Sequence, residues 1–287
     1  MSPSLEPPPQ FTRRRFNIAL GAATASTTVG LYGNALAQTS SQSELERLYA
    51  YLNLFARDTL AGASAFCVPG ADLYSLVQGR STFQAGGIAA KNDAFLVYMF
   101  DNYLPLPPPL GSSLATALSR PVRGINLSLG GVNLNLGSIL AQVINTRESV
   151  RLSTLVALLL NALALLVQPA SIIGPFLSPF SRLSWQNKAK VLKMLETADP
   201  QVLTVMGDVP APLVKTLFAY LQLIALGLMA FGGFGSYSEW ANLNRTTRTL
   251  NSRPVGWTLS KYQPNGPVEG WDEFRGYYQG RRSASDA

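Results

Sequence analysis

Between Leu152 and Ser181 the chain carries no charged residue, and between Thr216 and Ser238 it again carries none. These two runs limit the fold more than any other feature. A helix that is apolar on every side either crosses a bilayer or lies at the centre of a sizeable core. In the first run, "LSTLVALLLNALALLV" is interrupted by Asn161 and closed by Gln168-Pro169, so it falls short of the ~20 apolar residues a span needs. The second contains "LFAYLQLIALGLMAFGGFG". It is long enough, but it carries Gln222 and is expected to dissolve at Gly232, Gly233 and Gly235. Both runs are expected as buried core helices, with a membrane hairpin anchor as the competing reading.

The remaining elements read as a mainly α chain. Ser43-Glu44-Leu45-Glu46 has the form of a capping box. Leu45, Leu48, Tyr49, Leu52, Phe55 and Ala56 follow at helical spacing, which predicts a helix to about Leu60. "NDAFLVYMFDNY" predicts a short helix over Asn92–Tyr103, stopped by Pro105 and Pro107–Pro109. Ser184 is expected to cap a helix with Trp185, Ala189, Leu192 and Leu195 on its apolar face. Lys188, Lys190 and Lys193 are assigned to its solvated side, and Asp199-Pro200 to its end. "GINLSLGGVNLNLG" differs in kind. Ile125, Leu127 and Leu129, then Val132, Leu134 and Leu136, alternate with polar residues around Gly130-Gly131. That is a β-hairpin with one apolar face, near 124–137. A lone hairpin is marginal in water, so it must lie on this chain's helices or on another protein.

The N-terminus supplies an address. Three arginines, Arg13 to Arg15, precede a small, weakly apolar segment that ends in Ala35-Leu36-Ala37, an A-x-A cleavage pattern. Thr12, Arg13, Arg14 and Phe16 resemble the twin-arginine export signal. An ordinary secretory signal is the alternative. The twin-arginine route carries folded proteins, which favours core helices over an anchor. Residues 1–37 are then the signal, 38–235 a helical body, and 236–287 a C-terminal arm rich in Gly, Pro and aromatics. Nucleic acid is not an expected partner, because the arginines do not recur along a helix face.

Two counts narrow the chemistry. The chain has no histidine and one cysteine, Cys67. Histidine-based triads and thiolate metal clusters therefore cannot be built from it. No phosphate-binding or nucleophile-elbow motif is present. A carboxylate enzyme remains conceivable, but Asp272 and Glu273 are adjacent and would point apart on a strand. No catalytic residue and no metal ligand is assigned. Cys67 reads either as a small buried apolar residue or as a thiol that pairs with another chain after export.

The arm concentrates rings: Trp240, Trp257, Tyr262, Trp271, Phe274, Tyr277 and Tyr278. They serve either as anchors that fold the arm over the body or as anchors for a partner, since Trp, Tyr and Arg dominate interface hot spots. The twin-arginine signal, the helical body, "GGFGSYSEW" and "GWTLSKYQPNGPVEGWDEFRGYY" together resemble the gluconate 2-dehydrogenase subunit 3 family, over the signal and roughly residues 231–280. That resemblance implies a non-catalytic small subunit beside a large FAD-dependent dehydrogenase of the glucose-methanol-choline type. The FAD would sit on the partner. The small subunit would aid the partner's maturation and carry it through the twin-arginine translocase to the periplasm or the outer face of the cytoplasmic membrane. Electrons would pass on to a haem (cytochrome) subunit or another acceptor. Trp257, Tyr262, Trp271, Phe274 and Tyr277 become the expected docking anchors, with Cys67 as a possible bridge. A membrane-anchored envelope scaffold is the alternative role.

Overall fold

The computed structural model describes residues 44–104, 126–129, 132–135, 151–202 and 211–262, and these form a mainly α single domain. Its centre is α1 (Glu44–Cys67). Tyr51, Leu52, Phe55 and Leu60 are buried, at the three- and four-residue steps that put side chains on one face. The helix passes the expected end at Leu60 by two turns, through "AGASAFC". The small residues there let neighbours approach. A Cβ on Gly62 would strike Ser181, in the 3-10 turn Phe180–Arg182.

After a short α2 (Leu73–Val77) comes α3 (Asn92–Tyr103), with the bounds the sequence predicts. Both α3 and α4 (Leu152–Val167) pack on α1. Every residue of α4 from Leu152 to Ala164 is buried, so the first uncharged run is a core helix as expected. Its polar Asn161 is fully paired. The side-chain amide donates to Thr59 Oγ1 at 2.8 Å and to the Ala157 carbonyl at 2.7 Å, while its oxygen accepts from Phe180 N at 2.8 Å.

Ser184 caps α5 (Trp185–Glu196) as predicted, with Asn187 N donating to its hydroxyl at 3.3 Å. One assignment on this helix is overturned. Lys188 does not belong to the solvated basic side; it is 0% exposed. Its ammonium donates to the Gly62 carbonyl at 3.1 Å and to Gln78 Oε1 at 2.9 Å, and lies 5.8 Å from the centre of the Phe180 ring. Lys188 follows Ser184 by four residues and Trp185 by three, so it points along the packed stripe. Local charge pattern did not reveal that two acceptors wait there.

The second uncharged run forms α6 (Ala211–Tyr237), which packs on α3, α5 and α1. The helix does not dissolve at its glycines; it runs through all three. A Cβ on Gly232 would meet Cys67 Sγ at 2.5 Å, and one on Gly235 would collide with Asn92 and Phe95. These glycines are notches that let α1 and α3 press against α6. Full burial is not met either: one face of α6 is exposed among the described residues.

The predicted hairpin is present as β1 (Asn126–Leu129) and β2 (Val132–Asn135), antiparallel, with Leu127 opposite Leu134 and Leu129 opposite Val132. Beyond α6 the arm contains a two-residue ladder, β3 (Leu243–Asn244) with β4 (Thr249–Leu250), and a short α7 (Val255–Leu259) that packs on α6. Residues 236–262 are thus more ordered than the composition suggests, and α6 crosses the expected body–arm boundary at 235.

Candidate partner-binding face

At 100° per residue, Leu223, Leu226, Met229, Ala230, Phe234 and Tyr237 fall in a sector of about 140° on α6. All six are exposed, Leu226 and Phe234 each to 65%. The stripe has two borders. On one side Gln222 Nε2 donates to the Glu196 carbonyl of α5 at 3.0 Å. On the other, Gly227 lies against Phe100 and Leu104 at the end of α3. The stripe is aliphatic from Leu223 to Ala230 and aromatic beyond. The segment Val214–Tyr237 is long and apolar enough to cross a membrane by length and composition.

The aromatic end continues onto α3 and the arm. Phe95 meets Trp240 edge-on at 5.5 Å and Phe234 at 6.2 Å. Tyr98 lies 5.6 Å from Trp240 and 5.6 Å from Tyr103. The Arg245 guanidinium sits over two rings, 5.1 Å from Tyr98 and 5.6 Å from Trp240, where the ring quadrupoles attract it. The Trp240 indole N–H is buried and has no acceptor among the described residues. Cation and rings together form a partly exposed surface, with Phe95 buried beneath it, of the composition that interface hot spots favour.

Two of the sequence-predicted anchors adjoin this end. Trp257 and Tyr262 meet edge-on at 5.2 Å. Arg253 lies 5.7 Å from the Trp257 ring and donates to the Tyr262 carbonyl at 2.6 Å. The indole N–H of Trp257 donates to Glu239 at 2.9 Å, and Gly256 abuts the Tyr237 backbone. Trp257 is therefore tied to the end of α6. The anchors Trp271, Phe274 and Tyr277, and the export residues Thr12, Arg13, Arg14, Phe16, Ala35 and Ala37, lie outside the described residues. Sequence reasoning missed Tyr98, Tyr103 and Arg245. Their only sequence signal is their residue type, because Tyr98 and Tyr103 of α3 join Trp240 and Arg245 of the arm only through the Tyr98–Trp240 and Tyr98–Arg245 contacts, across more than 140 residues of chain.

Cys67 is free and faces inward. Its Sγ is 3.7 Å from the Leu228 carbonyl, beneath α6. Burial pushes the thiol up to about 12, so it is held as an unreactive thiol.

The most perturbed charges are interior. Asp58 accepts from Tyr74 Oη at 2.7 Å, Ser178 N at 2.9 Å and Ser178 Oγ at 2.7 Å. Burial raises its carboxyl above the usual range, against the pull of those donors and of Arg182. Desolvation lowers Lys188 to about 7. Shifted groups of this kind often mark catalytic sites, but Asp58, Lys188, Ser178 and Ser181 are all sealed in the core. Their partners fix α1 to the 178–182 turn and to α5. Arg182 works the same way: its guanidinium donates to the carbonyls of Ser171, Ile172 and Phe176 and holds that loop closed. The geometry assigns this set to structure.

No family model, no curated protein and no solved structure matches this chain.

Proposed function

We propose that this chain is a non-catalytic small subunit that binds a FAD-dependent alcohol or sugar dehydrogenase, aids its maturation and carries it out of the cytoplasm by the twin-arginine route. The observation that carries the reading is the cluster of half-buried Tyr98 and Trp240 with exposed Tyr103 and Arg245, adjoined by Trp257 and Tyr262. Aromatic anchors beside an arginine are what a stable protein interface needs at its centre. The N-terminal arginine motif supplies the transport half of the role, and the interior charges offer no competing open site. In this reading the partner holds the FAD, and the chain supplies binding surface and an address.

The test is coexpression of the full chain with a FAD-dependent dehydrogenase of the glucose-methanol-choline type that carries no export signal. Periplasmic fractions are assayed for both proteins and for flavin absorbance. Replacing Arg13 and Arg14 with Lys should strand both proteins in the cytoplasm. Arg245→Glu with Tyr103→Ser should leave export of this chain intact but lose the flavoprotein. Export of the flavoprotein with either variant would overturn the proposal.

The length of α6 favours a second reading, an envelope protein held at the membrane. Alkaline carbonate extraction separates the two: a subunit is released, an anchored protein is retained.

A further inference from the structure

The outer face of α6 repeats with a period of seven. Thr216, Leu223, Ala230 and Tyr237 recur at that spacing, and Ala219, Leu226 and Gly233 repeat it three residues later in each cycle. All but Gly233 are exposed, and the Cβ position of Gly233 meets nothing within 4 Å. We infer that this face is a seam between two copies of the chain, which pack α6 against α6 in antiparallel fashion.

Three observations carry this. The first is the period. Steps of three and four residues in alternation are the spacing at which one helix receives another. By the ~100° step these residues stay within a sector of about 100° along the helix. A second helix follows such a line at the slight crossing of about 20° that seven-residue repeats favour. An irregular partner or a bilayer sets no requirement for the repeat.

The second is that the seam fits its own reverse. In a two-fold contact, residue i meets residue j of the partner and j meets i. With the copies antiparallel and the axis level with Leu228, Leu226 falls opposite the partner's Ala230. Leu223 falls opposite the partner's Gly233, and Ala219 opposite the partner's Tyr237. Thr216 lies past the end of the partner's α6. Each large side chain of the three pairs meets a small one, the alternation that fills a helix interface without voids. A parallel pair would stack Tyr237 on the partner's Tyr237 and Gly233 on the partner's Gly233, overfilling one level and leaving another hollow.

The third is charge. The uncharged stretch is bounded by Lys215 before it and Glu239 after it, and both are exposed. The indole N–H of Trp257 donates to Glu239 at 2.9 Å and holds that carboxylate at the end of α6. In the antiparallel register Lys215 comes within about two residues, or about 3 Å of rise, of the level of the partner's Glu239. Symmetry repeats the pair at the other end. Parallel copies would set Lys215 beside the partner's Lys215. An exposed ion pair adds little affinity, but like charges exclude the wrong orientation. The inference uses none of Tyr98, Trp240 and Arg245, and it does not rest on the flavoprotein reading.

Oxidative cross-linking of the purified full chain tests it. Leu223→Cys with Gly233→Cys sets two thiols about 15 Å apart along one helix. They cannot join within a chain, yet they lie opposite each other between copies. Mild oxidant should convert this variant to a disulfide-linked dimer, twice the 30.9 kDa of one chain. The conversion should run at least about tenfold faster than for Leu223→Cys alone, whose thiols stand about 15 Å apart across the axis. Light scattering should show the native chain as a dimer. Leu226→Glu, which puts two carboxylates into the seam, should weaken it about a hundredfold or more with the circular dichroism unchanged. Equal cross-linking of the single and double variants overturns the inference. So does a native chain that stays monomeric at tens of micromolar, and one that is monomeric alone but sediments with liposomes assigns the face to lipid instead.

Discussion

Helices α4 and α6 come from the two uncharged runs of the sequence, and they end in different places. Every residue of α4 from Leu152 to Ala164 is buried, whereas α6 buries one side and exposes Leu223, Leu226 and Met229 on the other. Absence of charge says that a helix avoids water on the side that matters. It does not say how many sides matter. The polar residue inside each helix tells more. Asn161 in α4 has three core partners. Gln222 in α6 reaches sideways to one carbonyl at the helix border. A buried amide needs its bonds made within the protein, so the completeness of its partners marks the helix enclosed on all sides.

The comparison can be broken most directly by substituting those two amides with leucine. Asn161→Leu leaves the Phe180 N–H without its acceptor and adds bulk to a filled core, a loss of about 3–5 kcal/mol from the two effects together. Gln222→Leu, on an exposed border, should stay within about 0.5 kcal/mol. Urea unfolding of both full-length variants gives the answer. Equal losses would mean that α6 is as enclosed as α4.

The sequence exposed the helical class, the bounds of α3, the cap at Ser184 and the hairpin alternation, because each is a local pattern with a local cause. What it hid is tertiary. Gly232 and Gly235 have the composition of a helix end, yet they are contact points for Cys67 and Phe95. The spacing places the end of the first helix near Leu60, yet it runs on through "AGASAFC", where Gly62 admits Ser181. Lys188 reads as surface because lysine usually is, and only Gly62 and Gln78, far away in the chain, reverse that. At the candidate interface, Trp257 and Tyr262 were legible as aromatics in a Gly/Pro-rich arm. Tyr98 and Arg245 were not, because their significance lies in meeting Trp240.

Lys188 offers a second test, since it is a buried amine enclosed by Gly62 of α1, Gln78 and the Phe180 ring. Desolvation lowers its amine from 10.5 to about 7. In the unfolded chain the amine keeps its proton to about pH 10. Between those limits the unfolded state binds one more proton than the folded state. Stability therefore rises with pH across the window, by up to about 1.4 kcal/mol per pH unit, and is lowest below pH 7. Both partners of Lys188 are acceptors, so the neutral amine keeps its bonds. Lys188→Met removes this slope while leaving two buried acceptors unpaired. Above about pH 8.5 the unfolded Cys67 thiol ionises while the buried one does not, which offsets this slope. Urea midpoints taken at steps from about pH 6 to about pH 8.5 should climb for the native chain and flatten for the variant. A native profile without the climb would mean that the core admits water at this site.

The smallest effect lies within α6 itself, where two glycines two positions apart fall on nearly opposite sides of the helix. Gly235 faces α3, and an added methyl there collides with Asn92 and the Phe95 ring. Neither can withdraw freely: Asn92 is buried and donates to the Gly232 carbonyl at 2.6 Å. Gly235→Ala should cost about 1–3 kcal/mol, the usual penalty of overpacking. Gly233 faces away, with nothing within 4 Å of its Cβ position. Alanine there gains helix propensity and reduces the freedom of the unfolded chain, worth about 0.5–1 kcal/mol of added stability. The two variants make the same substitution two positions apart, so the sign change between them isolates the face of the helix from its composition. Thermal unfolding of each, in the Leu226→Glu background that keeps the chain monomeric, measures it. If Gly233→Ala also destabilises, something covers the outer face of α6 near its C-terminal end, and the uncovered stripe is shorter than the aromatic cluster requires.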